Sequence, residues 1–213
     1  MKPRNNTGLF YSMKNIVSTI LLLSACYAAQ AQHSYEERIA AHRQHYKEEF
    51  ITEPRSPLKA GDTAYLRFYS ANSLYRVVAT IKETPDAKAF DMPTYSGKTK
   101  QFRQYGVLTF SIGGKQQTLQ VYQNLRLLED TAHAQHLFVP FTDETTYTET
   151  YGGGRYIDLS TADIKDGRIV LDFNKCYNPY CAYAGGYNCP IPPVENRLKI
   201  PIRAGEKLFG KEH

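Results

Sequence analysis

Two alternating runs, Tyr105–Ile112 and Lys115–Tyr122, flank the pair Gly113-Gly114. Adjacent glycines supply the positive φ that a two-residue type I′ turn needs, so the runs are expected to fold back as a β-hairpin. Leu108, Phe110 and Ile112 alternate with Val107, Thr109 and Ser111, giving one buried and one wetter face. A hairpin constrains its surroundings, because its edges need partners of the same kind. The rest of the chain offers them. Tyr65–Tyr69, Tyr75–Ile81, His136–Phe141, Arg168–Phe173 and Arg197–Ile202 are aromatic or β-branched runs bounded by turn residues. Pro140 argues that its strand is an edge or carries a bulge. No helical segment separates these runs, so parallel crossovers are excluded. The expected fold is mainly β, an antiparallel sandwich or barrel with one N-terminal helix and a long C-terminal Pro/Cys-rich loop.

The helix is expected over Ser34–Phe50, with Ser34 as cap and Glu37 completing a capping box. Ile39, His42, Tyr46 and Phe50 recur at helical spacing and form its apolar stripe. His42 and His45 share a face, but a solvated or half-buried surface explains them better than a metal. Ser56-Pro57 and Ala60-Gly61-Asp62 close the segment. Before it, Lys2, Arg4 and Lys14 precede an apolar run from Ile16 to Ala29, and Ala29-Gln30-Ala31 has the form of a signal-peptidase site. Leu23-Ser24-Ala25-Cys26 also has the form of a lipobox, so a lipid anchor at Cys26 competes with cleavage after Ala31. The organisation read from this is a signal peptide over 1–31, helix and linker over 32–55, and one β-rich domain over 56–213. The chain is expected to be exported to the periplasm, held as an outer-membrane lipoprotein, or secreted. Without the leader's three cations, the 26 basic residues fall to 23 against 21 acidic ones, a net charge of +2. That near-neutral balance, with no basic cluster, excludes a nucleic-acid footprint.

Chemistry concentrates between Asp172 and Glu206. In an exported chain, two nearby cysteines are by default a disulfide, and Cys181–Cys189 would close a small loop. Cys176 is then left over. Zinc is the rival, but the spacing is irregular and no CxxC pair is present, so no metal and no cofactor are expected. Asp172, Asn174, Asn178, Glu195 and Asn196 are the polar residues of this stretch. They can satisfy the backbone of a prolyl loop or form a binding or acid–base site. Tyr177, Tyr180, Tyr183 and Tyr187 can line a pocket or cover the loop. Upstream, Gly152-Gly153-Gly154 lacks the lysine and following helix of a phosphate loop. It reads as a tight turn presenting Arg155, for which Asp143, Asp158 and Asp172 are the available carboxylates.

Several of these residues together resemble a known family. Phe138-Val139-Pro140-Phe141 with Asp143, Thr150-Tyr151-Gly152-Gly153-Gly154-Arg155-Tyr156, Asp172-Phe173-Asn174 and Tyr177-Asn178-Pro179 are similar to the signature of the bacterial and archaeal domain of unknown function 1684. Cys181-Ala182-Tyr183, Cys189-Pro190, Pro192-Pro193, Glu195-Asn196 and Ala204-Gly205-Glu206 continue it, and the resemblance spans about residues 45–207. The family implies no established activity. Members without a leader carry the same two cysteines, which keeps a thiol or metal role open beside the disulfide. Two positions depart from the pattern: Cys176 stands where alanine is expected, and Tyr147 where glycine is common.

The function expected is binding of a small polar or anionic molecule in a pocket formed by the C-terminal signature. Asp143, Tyr151, Arg155, Asp172, Asn174, Glu195 and Asn196 are the expected ligand-binding set. A hydrolase using Asp172 and Glu195 as acid and base is the alternative, and an envelope structural protein without ligand is the third reading.

Overall fold

The computed structural model describes residues 32–211, so the leader and both routes of its processing lie outside the described residues. Helix α1 covers residues 32–52. Strands β1 (Arg76–Glu83), β2 (Ala89–Pro93), β3 (Thr99–Ile112) and β4 (Lys115–Asn124) follow, then the short α2 (Leu125–Leu128). Strands β5 (His136–Phe141), β6 (Arg155–Ser160) and β7 (Arg168–Asp172) complete the sheet. All seven strands join one antiparallel sheet of order β6-β5-β4-β3-β1-β7, with β2 also paired to β3. The sheet curls into a half-barrel, so one sheet replaces the two layers of the expected sandwich.

β3 organises the sheet because it is long enough to serve several neighbours. β4 runs along one side, in continuous register from Gly106↔Val121 down to Ile112↔Lys115, and Gly113 and Gly114 turn the corner at φ 57 and 75, as the hairpin pattern requires. On its other side, β2 pairs with Thr99–Arg103 and β1 takes over from Gly106. A bulge between Gln104 and Gly106 shifts the register. An extra residue reverses which face the following side chains occupy. Phe102 therefore packs with Met92, Tyr122, Phe138 and Tyr156 on one face, while Leu108 and Phe110 join the main core on the other. The main core also takes Leu119, Val121, Leu137, Val139, Phe141, Ile157, Ile169 and Leu171.

α1 buries Tyr35, Ile39 and Phe50: Tyr35 reaches Asp172 at the end of β7, and Phe50 packs with Leu58, Leu66, Ala182 and Tyr183. Burial of each such side chain stabilises by about 1.5–3 kcal/mol. The helix already includes residues 32 and 33, so Ser34 lies inside it and is not its cap.

Other expectations shift for local reasons. Tyr65–Tyr69 is no strand: Ala60–Tyr65 forms a 3₁₀ turn and Phe68 makes a single bridge to Glu206. Arg197–Ile202 is also no strand, and only Arg197 bridges Thr142. β2 and β6 carry no strand signal in the sequence. Four of the five β2 residues are exposed, and β6 opens with a buried arginine. Pro140 lies inside the sheet, between β4 and β6, rather than on its rim. It is tolerated because the β4–β5 ladder is short, with one paired register at Tyr122↔Phe138. The fully buried Asn196 fills the gap beyond it. Its Oδ1 accepts from Gln120 N–H (2.7 Å), and its Nδ2 donates to the carbonyls of Gln120 (2.9 Å) and Pro140 (2.7 Å).

Asn196→Ala strips the Gln120 and Pro140 backbone groups of their partner, and each buried unsatisfied group costs about 1–3 kcal/mol. A loss of about 2–4 kcal/mol by urea denaturation is expected; a loss below about 0.5 kcal/mol contradicts the bridging role. Tyr147 is the converse case. It is 81% exposed and sits at φ 74, where an L side chain is strained. Tyr147→Gly is expected to stabilise by about 0.5–1 kcal/mol in the same assay.

Candidate functional site

The triple glycine delivers Arg155 into the interior. Gly154 holds φ 80, and a Cβ there would stand 2.5 Å from Phe141 O and 2.8 Å from Pro192. Arg155 is 1% exposed, and its Nη2 donates to Asp143 Oδ2 (2.8 Å) and Ile202 O (2.8 Å). Its Nη1 donates to the carbonyls of Ala204 and Glu206. Asp143 Oδ1 accepts from Thr145 N–H (2.8 Å), the Thr145 hydroxyl (2.6 Å) and Ile202 N–H (3.1 Å). Together the pair clamps residues 202–206 to the β5–β6 end of the sheet. Of the three candidate carboxylates, Asp143 is the one that meets Arg155, but neither residue lines either of the two large cavities. Apart from Arg155 Nε, which is buried without a partner among the described residues, their polar groups are met by the chain itself, so they brace.

Asp172 and Asn174 do reach a cavity. They line a cleft of about 930 Å³ between α1 and the sheet. Asp172 ends β7, where its Oδ1 accepts from Asn174 N–H (3.0 Å) and both oxygens lie within 3.0 Å of the Tyr35 hydroxyl. Asn174 also clamps Asn72 through both its amide groups (2.9 Å each). Around this carboxylate stand His42 and Arg43 from α1, Arg76 from β1 and Lys175, all lining the cleft. Arg43 Nη2 donates to Tyr69 O (2.8 Å) and the guanidinium lies over the Phe68 ring, while its Nε is buried without a partner. None of Arg43, Arg76 and Lys175 has a carboxylate partner among the described residues. Burial, then the neighbouring Lys175, lowers the His42 pKa, favouring the neutral imidazole.

The rest of the expected set lies elsewhere. Tyr151 donates to Cys181 O (3.3 Å), Asn196 bridges strands, and Glu195 is exposed on the Val194–Asn196 turn. The proposed acid–base pair therefore does not form at either large cavity, since Asp172 lines the cleft and Glu195 does not. Cys181 and Cys189 are disulfide-bonded, and Cys176 is a free, buried thiol whose pKa burial pushes up to about 11. Its loop meets Gly205 at φ 73, where a Cβ would lie 2.6 Å from Cys176 O.

Sequence reasoning gave Glu206 no role beyond the family motif. It is 0% exposed and accepts from Tyr183 OH (2.7 Å), Asn178 N–H (2.9 Å) and Tyr46 OH of α1 (3.1 Å), with no cation paired to its carboxylate among the described residues. Burial outweighs these hydrogen bonds and raises its pKa to about 7. Asn178 Oδ1 is buried without a donor among the described residues. The signal available in the sequence was Tyr46 on the apolar helix stripe, a tyrosine whose hydroxyl needs a buried acceptor.

The fold and site define a curled antiparallel half-barrel capped by one helix, with a polar cleft beneath it. Residues 63–207 match the family described as "Protein of unknown function (DUF1684)", and the chain belongs to that family. The chain is also similar to the solution structure of an uncharacterised protein of Haloarcula marismortui. The identity is 30% and the TM-score 0.64, over 84% of this chain and 96% of that one. No curated protein matches the chain.

Because the folded Glu206 pKa lies above the ordinary carboxylate value, the native state holds a proton that the unfolded chain releases. The resulting stability is fully present below about pH 4.5 and is lost as pH rises through about 7. For E206Q, the fall in melting temperature between about pH 5 and pH 8 is expected to flatten, an effect worth up to about 3 kcal/mol. An unchanged slope contradicts it.

Proposed function

We propose that the protein binds a small anionic ligand in the cleft beneath α1, and that it does so as an exported protein. The leader pattern supports export. The observation that carries binding is the grouping at the Asp172 end of the cleft, where Arg43, Arg76 and Lys175 gather around a carboxylate already engaged by Tyr35 and Asn174, while Glu49, Glu53, Asp158, Asp163 and Lys165 line the rest of it. The grouping is local: the His42 imidazole feels Lys175, Asp172 and Arg43, and the Tyr35 hydroxyl feels Asp172, Arg76 and Arg43. A guanidinium held by one backbone carbonyl and a ring keeps donors for a carboxylate or phosphate oxygen. Neutral His42 adds one ring N–H that can donate to a bound anion. The cleft volume of about 930 Å³ suits a small molecule.

Titration calorimetry with inorganic phosphate and with succinate is the direct test. At least one is expected to bind, more weakly as salt is raised. Arg43→Gln should weaken it by about tenfold or more, with little change in melting temperature. If neither anion binds the intact protein, or if R43Q binds equally well, the assignment fails.

A further inference from the structure

A second cavity, of about 570 Å³, lies on the opposite face of the sheet from the main core. We infer that it is a separate binding site for a small aromatic carboxylate.

Its floor is made of rings. Phe102 stacks on Phe138 (centroids 5.5 Å), Phe138 meets Tyr156 edge-on (4.7 Å), and Tyr156 meets Tyr177 edge-on (5.9 Å). Phe102, Phe138 and Tyr156 are buried against one another, so a further ring would meet the narrow apolar strip they leave toward the cavity and the half-buried Tyr177. The roof is residues 186–190, and it is fixed in place rather than collapsed onto the floor. The Cys181–Cys189 disulfide closes its base, and Tyr187 OH donates to Arg55 O (3.0 Å). Tyr95 N–H donates to Cys189 O (3.1 Å), Ile191 N–H donates to Pro93 O (2.9 Å), and Tyr156 OH donates to Pro190 O. The space between is thus preformed, and its volume falls within the usual range of about 300–1,000 Å³ for ligand pockets.

Its polar groups select the ligand's charge. Two carboxylates, Asp158 and Glu53, line both cavities; Glu53 acts on Tyr180 together with Arg55, and each Asp158 oxygen is engaged, with His136 Nε2 2.9 Å from Oδ1 and Tyr177 OH donating to Oδ2 at 2.7 Å. Beside Phe102 the unengaged groups are donors. Lys100 is half-buried on the rim, with no carboxylate partner among the described residues and with Arg126 nearby as a second cation. Burial, then Arg126, lowers its pKa, which marks an ammonium short of compensating charge. Asn124 and Asn188 each spend their Oδ1 within the protein, on Arg126 N–H and on the Thr94 and Ser96 hydroxyls. Their Nδ2 groups have no acceptor among the described residues. One ammonium and two amide donors around an aromatic floor suit a planar ring carrying a single carboxylate.

Calorimetry with benzoate, 4-hydroxybenzoate and indole-3-carboxylate, against cyclohexanecarboxylate and inorganic phosphate, tests the site. At least one aromatic acid is expected to bind several-fold tighter than cyclohexanecarboxylate. Lys100→Gln should weaken it by about fivefold or more, while Arg43→Gln leaves it unchanged. Reduction of the disulfide should weaken it too, since the roof loses its closure. The inference is overturned if no aromatic acid binds at millimolar concentration, if cyclohexanecarboxylate or phosphate binds as well, if K100Q has no effect, or if R43Q abolishes the binding.

Discussion

Arg155 and Asp143 form the interaction on which both cavities depend. A charge this deep is costly to desolvate, and the pair survives only because nearly every remaining hydrogen-bonding group is met. What the guanidinium holds is chain: the carbonyls of Ile202, Ala204 and Glu206 belong to a segment with no strand of its own. With that segment fixed, Glu206 N–H reaches Cys176 O and Asn178 N–H reaches the Glu206 carboxylate, which in turn receives Tyr46 from the helix. Loss of either partner strands a buried charge and should release the whole segment rather than one bond.

The second organising constraint is the bulge in β3. A regular strand of that length would present one set of alternating residues to one core. The shift between Gln104 and Gly106 lets the same strand build two apolar surfaces, one under the main core and one beneath the 186–190 roof. Tyr177 and Asp158 then stand in the wall common to both cavities. The cleft is lined by charges that α1 brings to the end of β7, whereas the second cavity is lined by rings that the bulge turns outward from the main core.

How much of this was legible in the sequence depends on whether a residue's role is local. The Gly113-Gly114 hairpin, the His136–Phe141 strand and the α1 stripe depend on near neighbours, and each is found where periodicity puts it. The glycine expected at position 147 marks a backbone conformation, and Tyr147 indeed lies at positive φ. That Arg155 needs a carboxylate was legible, with Asp143 one of three candidates, but its role as a brace was not, because nothing in the sequence says whether a guanidinium's other donors meet solvent or carbonyls about 50 residues away. Arg43, Arg76 and Lys100 went unnoticed for a related reason. A cation on an amphipathic helix or a short strand is ordinarily a solvated group, and only the fold reveals which ones lack a carboxylate.

Asn196 shows the same limit from the side of the backbone. An asparagine beside prolines reads as loop satisfaction, and in a sense that is what it does. The groups it satisfies, however, belong to two strands where the β4–β5 ladder has stopped at a proline. Asn174 does likewise for the chain at Asn72, and Asn178 for Lys207. In this fold the asparagines of the C-terminal segment replace strand pairing, so the segment needs no β pattern to be rigid. That rigidity is what allows a stretch without regular structure to hold tyrosines and a disulfide-closed roof at fixed positions against the sheet.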